Sequence, residues 1–144
     1  MLDRADASAV SRGARPAVEI WLSGTVNSGW PAAVAAALTP EAVAINRIVM
    51  AEAARFPNLA KLVHEQGWQR SNAAVAALLD QFVSNGQIKV EDTNVAADLF
   101  LSLVIGRQTR LAMLGIETDP EQIDQRVRAA VNLFLNGVRP RSNE

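Results

Sequence analysis

An all-α fold of five to seven helices is what the sequence predicts, and three observations carry it. Alanine supplies 25 of the 144 residues and tyrosine none. With Leu, Gln, Glu and Arg this makes a composition that favours helix. Apolar residues recur three and four apart over most of the chain, and no stretch sustains the period of two that a half-buried strand requires. Helix starts and stops are also written between those segments, at Thr39-Pro40-Glu41, Asn85-Gly86, Asp92, Gly115 and Asp119-Pro120-Glu121-Gln122.

Residues 1–15 are small and polar and read as a frayed, flexible start. Over 16–38 two readings stay open. Pro16 can begin a helix carrying Val18, Ile20, Trp21 and Leu22. Gly24, Gly29 and Pro31 interrupt it, and Pro31 can restart a short alanine-rich helix ending near Leu38. Thr39 then offers a hydroxyl N-cap, Pro40 a proline at the first helical position, and Glu41 an acid near the positive end of the helix dipole. That helix carries Val43, Ile45, Ile48 and Val49. It must end by Phe56, because Pro57 disfavours helical backbone before it. A short helix with Leu59, Leu62 and Val63 follows, with Gly67 as its stop.

Val75, Leu78, Leu79, Phe82 and Val83 mark a helix over 69–84, closed by Asn85-Gly86. Residues 87–90 are too short and isolated for a sheet. Asp92 caps the longest helix, about 93–114, which spans ~33 Å. Gly115 ends it. Asp119, Pro120 and Gln122 form a capping-box pattern, and Ile123, Val127, Val131, Phe134 and Leu135 are the stripe of the last helix. Gly137 and Pro140 terminate it.

Composition excludes several classes of function. The chain is 49% hydrophobic and 20% charged, with a net charge of −1, so it is globular and is not built to wrap phosphate. It has no cysteine, hence no disulfide, thiolate metal site or thiol nucleophile, and a single histidine rules out a histidine-rich metal site. No apolar run approaches the ~20 residues of a membrane span, and the N-terminus lacks a secretory apolar core. The expectation is a cytoplasmic protein without metal or cofactor.

The loop over 115–119 is short, so the last two helices pack antiparallel. The 93–114 helix is apolar on more than one side. Val95, Leu99 and Leu103 form one line and Phe100, Val104 and Leu111 another, with Leu101 and Ile105 away from both. Either these helices are interior to a monomer, or a second copy covers them and two helices from each subunit build a four-helix bundle about a two-fold axis. The homodimer is the more direct solution in so small a chain. Its interface would use Leu103, Arg110, Leu111, Leu114, Val127, Val131 and Phe134. Ser102 and Gly106, four apart, would admit a closely approaching helix.

Few residues point to chemistry. His64 has only Glu65 beside it, and sequence neighbours on a helix face different ways. It reads as a surface or half-buried histidine. Arg107 lies one turn from both Leu103 and Leu111. It can form a structural ion pair, hold an acid across a dimer seam, or bind an acidic ligand. Met50, Trp68, Phe82, Phe100 and Met113 either fill the core or line a pocket. There is no phosphate loop, nucleophile elbow or paired metal motif, so an enzyme is not expected.

Residues 47–59, with Arg47, Glu52-Ala53, Arg55-Phe56-Pro57 and Leu59, resemble the R-x-x-x-x-E-A-x-R-F-P-x-L segment of TetR-type transcriptional regulators whose C-terminal domains are AefR-like. The order continues: Gly86 followed by Asp92, then Ala96 to Gly106, then Val127 to Gly137 resemble the family's last helices. The resemblance covers about residues 39–138. It implies a TetR C-terminal-like helical bundle in which a mostly apolar pocket among the middle helices takes a small apolar or amphipathic effector. Met50, Trp68, Phe82, Phe100 and Arg107 are the pocket candidates. The resemblance also implies a homodimer through the last two helices.

Family members begin with a basic helix-turn-helix of about 45–50 residues. Here 38 residues precede Thr39, broken by glycine and proline, and a three-helix groove reader does not fit them. The expected organisation is a flexible segment over 1–15, an effector-binding and dimerisation domain over 16–138, and a tail over 139–144. DNA would be reached only through a helix-turn-helix absent from this chain. The alternative function is a stand-alone helical protein that forms homodimers or mixed dimers with an intact regulator.

Overall fold

Most of the helix punctuation read from the sequence is realised in the computed structural model, which describes residues 30–141. The expectations for residues 1–29, including a helix from Pro16, lie outside the described residues. Among the described residues there is no strand. The described residues form seven α-helical segments in five continuous rods, because two rods each contain one wider π-turn.

The first rod is α1, Trp30–Ala37, and the second is α2, Pro40–Glu52. Thr39 joins them: its hydroxyl donates to the Ala36 carbonyl and accepts from the Ala42 amide, both at 3.3 Å. A tight turn closes α2, with the Phe56 amide bonded to the Glu52 carbonyl at 2.7 Å. Pro57 then opens α3, Pro57–His64.

At Gly67 the structure departs from expectation. The helix does not stop there. It passes through a π-turn, Glu65–Gln69, straight into α4, Arg70–Ser84. A glycine ends a helix by adopting the left-handed conformation. Gly67 does not adopt it, whereas Gly86 and Gly115, with φ of +71° and +73°, do. The next residue explains the continuation: Trp68 packs on the core, and its Nε1–H donates to Asp98 Oδ1 at 2.6 Å.

Beyond Gly86 the chain is extended. It is pinned by buried Ile88 and by the Lys89 amide on the Val138 carbonyl at 2.8 Å. Asp92 caps α5, Thr93–Leu101, accepting from the Asn94 and Val95 amides at 2.9 and 3.1 Å. A second π-turn, Ser102–Gly106, leads into α6, Arg107–Met113. Asp119 caps α7, Pro120–Val138, through the Glu121 amide at 3.0 Å. Gly137 lies within α7, which ends one residue later.

Helices α4 and α5 run antiparallel, with Trp68 opposite Asp98 and Asn72 opposite Asn94. Ala96 and Ala97 give α5 a smooth buried face toward Val75, Ala76 and Leu79. From the other side α7 contributes Val127, Val131, Phe134, Leu135 and Val138 to the same core. Phe100 stands at its centre, 1% exposed, with its ring edge-on to Phe134 at 4.9 Å between centroids.

Phe100 is therefore core and not pocket. Val127, Val131 and Phe134 are likewise buried within the chain itself, so they have no surface left for the seam where they were expected. The reason is rotational: α7 turns its one apolar stripe fully onto α5 and α1. Its outward side carries Gln122, Gln125, Arg126, Arg128 and Asn132, with Leu133 as its exposed large apolar residue. On α5 and the turn after it, Val95, Leu99 and Leu103 stay about half exposed.

Candidate ligand-binding cavity

A cavity of about 800 Å³ opens between α2, the α3–α4 rod and the α5–α6 rod. Ala42, Asn46, Val49 and Met50 come from α2. Ala60, Val63 and His64 come from α3, and Ser71 from α4. Leu101 on α5 and Thr109, Arg110 and Met113 on α6 face them, with Leu114 just beyond and Ala37 at the end of α1. Apolar surface dominates the wall.

The two π-turns meet at this cavity. Gly67 and Trp68 line it from the first, Ile105 and Gly106 from the second. A π-turn inserts one extra residue into a helical turn, so it widens the helix and shifts the faces beyond it. Both glycines sit where an added Cβ would meet no atom within 4 Å. Gly106 was expected to admit a neighbouring helix. No described segment comes that close, and the room it leaves belongs to the cavity.

The polar groups of the wall fall into two sets. The Trp68 donor is engaged by Asp98, and the Thr109 hydroxyl donates to the Ile105 carbonyl at 3.2 Å. The side chains of Asn46, His64, Ser71 and Arg110 have no partner among the described residues. His64 and Trp68 also border a smaller hollow of about 510 Å³, lined as well by Asn72, Asn94, Val95, Asp98 and Leu99.

Of the five residues expected to line a pocket, Met50 and Trp68 stand on the cavity wall, as does Met113. Phe82 is half-buried against the core, and Phe100 is buried within it. Arg107 is half-buried on α6, away from the wall, with its Nη1 buried and without a partner among the described residues. Arg110 and Leu114, expected at a dimer seam, line the cavity, while Leu111 is half-buried and Leu103 exposed. Sequence reasoning missed Asn46, Val49, Val63, Ser71 and Ile105. The small residues Gly67, Ser71 and Gly106 were the available signal, since together they mark where two rods are hollowed.

Arg47 holds the rim together. From α2 its Nε–H donates to the Met113 carbonyl at 3.0 Å and Nη2 to the Ala112 carbonyl at 2.8 Å, joining two walls of the cavity. Among the described residues no group of His, Cys, Asp and Glu is arranged to hold a metal, and no helix is long and apolar enough to cross a membrane.

The fold is shared with solved regulators. A TetR-family transcriptional regulator from Mesorhizobium loti superposes with a TM-score of 0.74 at 22% identity, over 94% of this chain and 71% of that one. The flavonoid-responsive regulator FrrA superposes with a TM-score of 0.69 at 27% identity, over 94% of this chain and 74% of that one. None of the curated proteins matches the chain. Residues 31–137 match the model of the C-terminal domain of AefR-like transcriptional repressors, a span that contains the residues 47–59 that carried the resemblance. With most of its length so matched and its helices arranged as in these regulators, the chain belongs to the TetR family of transcriptional regulators, as an AefR-like C-terminal domain.

Proposed function

We propose that this domain senses a small amphipathic molecule in the cavity and forms a homodimer through its last two rods. It would act within a regulator whose DNA contact belongs to a helix-turn-helix not found among the described residues. The observation that carries the sensing role is the cavity itself. Its volume of about 800 Å³ suits a drug-sized molecule, and its wall is mostly apolar with a few convergent polar groups. FrrA responds to a flavonoid, and a flat aromatic molecule of that class is a sensible first ligand to try. A ligand seated between α2 and α6 would bias how those helices pack, and it would do so by its differential affinity for the two packings. Dimerisation is supported by the half-exposed stripe of Val95, Leu99 and Leu103, with Leu133 exposed on α7.

The test is binding of phenylnaphthylamine, a neutral probe that fluoresces in apolar sites. Gly106→Leu puts a side chain on the cavity wall, where the added Cβ has no described neighbouring atom within 4 Å. The expected outcome is bright binding by the wild type and loss of at least tenfold in affinity in the variant, at unchanged helicity. Equal binding by both proteins would refute the assignment of the cavity.

A further inference from the structure

We infer that the ligand of this cavity is an organic anion: a ring-bearing, largely apolar molecule whose carboxylate, sulfonate or phenolate end is received by Arg110. The inference rests on the cavity being a ligand site and adds the chemistry of what enters it.

Charge is the first argument. Among the described residues the wall carries two ionisable side chains, His64 and Arg110, and no carboxylate. Of the acids on the adjoining elements, Glu65 pairs with Lys61 at 3.7 Å, Asp98 accepts from Trp68 and Asp80 from Thr93, while Glu41 and Glu52 of α2 form no ion pair with Arg110. Among the described residues no carboxylate lies within ion-pairing distance of the Arg110 guanidinium.

Donor supply is the second argument. The Trp68 and Thr109 donors are satisfied within the protein, so these side chains offer a ligand mainly carbon surface. Asn46, Ser71, His64 and Arg110 are the wall groups with donors to give. A neutral hydrocarbon would cover these groups without pairing them, which is unfavourable. An anionic oxygen pairs with the guanidinium in the charge-assisted geometry that arginine favours.

Placement is the third. Gly106 and Arg110 are four apart, hence neighbours on one helical face, and both line the cavity. An anion at Arg110 would lay its ring system along the room that Gly106 leaves open.

A matched pair of probes tests this. Anilinonaphthalene sulfonate and phenylnaphthylamine share a ring skeleton and differ by the sulfonate. The wild type is expected to bind the sulfonate about tenfold more tightly than the neutral probe, with the preference shrinking in about 1 M salt. Arg110→Met should abolish the preference, chiefly by weakening sulfonate binding and without weakening phenylnaphthylamine binding, and Arg110→Lys should keep part of it. Equal affinities in the wild type, or a preference that survives Arg110→Met, overturn the inference and leave the cavity assignment standing. Binding of neither probe overturns both. The salt series needs no variant, so a misfolded Arg110→Met protein does not shelter the claim.

Discussion

Replacing Arg47 by methionine removes a clamp between two walls of the cavity and little else. The two carbonyls it holds, of Ala112 and Met113, lie at the C-terminal end of α6, where the helix dipole is negative; Ala112 also accepts from the Gly115 amide at 3.0 Å, so Arg47 reinforces that turn. Methionine keeps much of the aliphatic stem, so the change isolates the fork. Hydrogen bonds to a charged group contribute about 1.5–3 kcal/mol each when shielded. Arg47 is exposed, and water replaces much of what is lost, which brings the pair to about 1–2 kcal/mol in total. In a domain of this size that lowers the melting temperature by about 3–6 °C. Urea unfolding followed by circular dichroism should show a lower midpoint at unchanged slope. Amide exchange should quicken at Leu114, Gly115 and Ile116, whose bonds close the same turn. Arg55→Met is the control: that guanidinium lies 5.3 Å from the centroid of the Phe56 ring and grips no carbonyl, so it should cost less than about 1 kcal/mol. If Arg47→Met matched the wild type, or merely equalled the control, the clamp would contribute nothing and the argument would be wrong.

Three further outcomes follow from burial and capping. Leu103→Glu, at a half-exposed site, should leave the fold intact and reduce the light-scattering mass from twice 15.5 kDa to a single copy, whereas an unchanged dimer would move the interface elsewhere. Val131→Glu should unfold the protein outright, because that side chain is 2% exposed and a charge there has no partner; a folded, soluble monomer would contradict the placement of α7. Asp92→Ala strands the Asn94 and Val95 amides and should lower the unfolding free energy by about 1 kcal/mol, read from the urea midpoint.

Local chemistry was legible in the sequence wherever one residue decides a backbone event. Thr39, Asp92 and Asp119 cap helices through their own oxygens, Gly86 and Gly115 take left-handed turns, and Pro57 forces a break before it. Helix rotation was harder to read. Val127, Val131 and Phe134 form a stripe that would serve a dimer seam or a core equally well, because periodicity says which residues share a face and not what that face meets. The same ambiguity put Phe100 among the pocket candidates and left Arg110 at the seam. The apolar surplus on α5 was read correctly in part: Val95, Leu99 and Leu103 remain uncovered by their own chain, while Phe100, Leu101 and Val104 do not.

The two π-turns explain why part of the cavity wall stayed out of view. A π-turn inserts a residue and rotates every later position on the rod relative to the earlier ones. A strict helical count along 93–114 therefore misassigns the faces of Arg107, Arg110 and Leu111. Arg107, aligned by that count with Leu103, ends away from the cavity, and Arg110 ends on its wall. Gly67 and Gly106 each lie within one of these turns and also line the hollow. Glycine costs a helix about 0.5–1 kcal/mol relative to alanine, and neither site is crowded enough to require it. Gly67→Ala and Gly106→Ala should therefore each raise stability by a few tenths of a kcal/mol or more. If either variant instead unfolds more readily, the glycine is needed to form the π-turn, and the cavity's shape would depend on backbone freedom and not on the missing side chains.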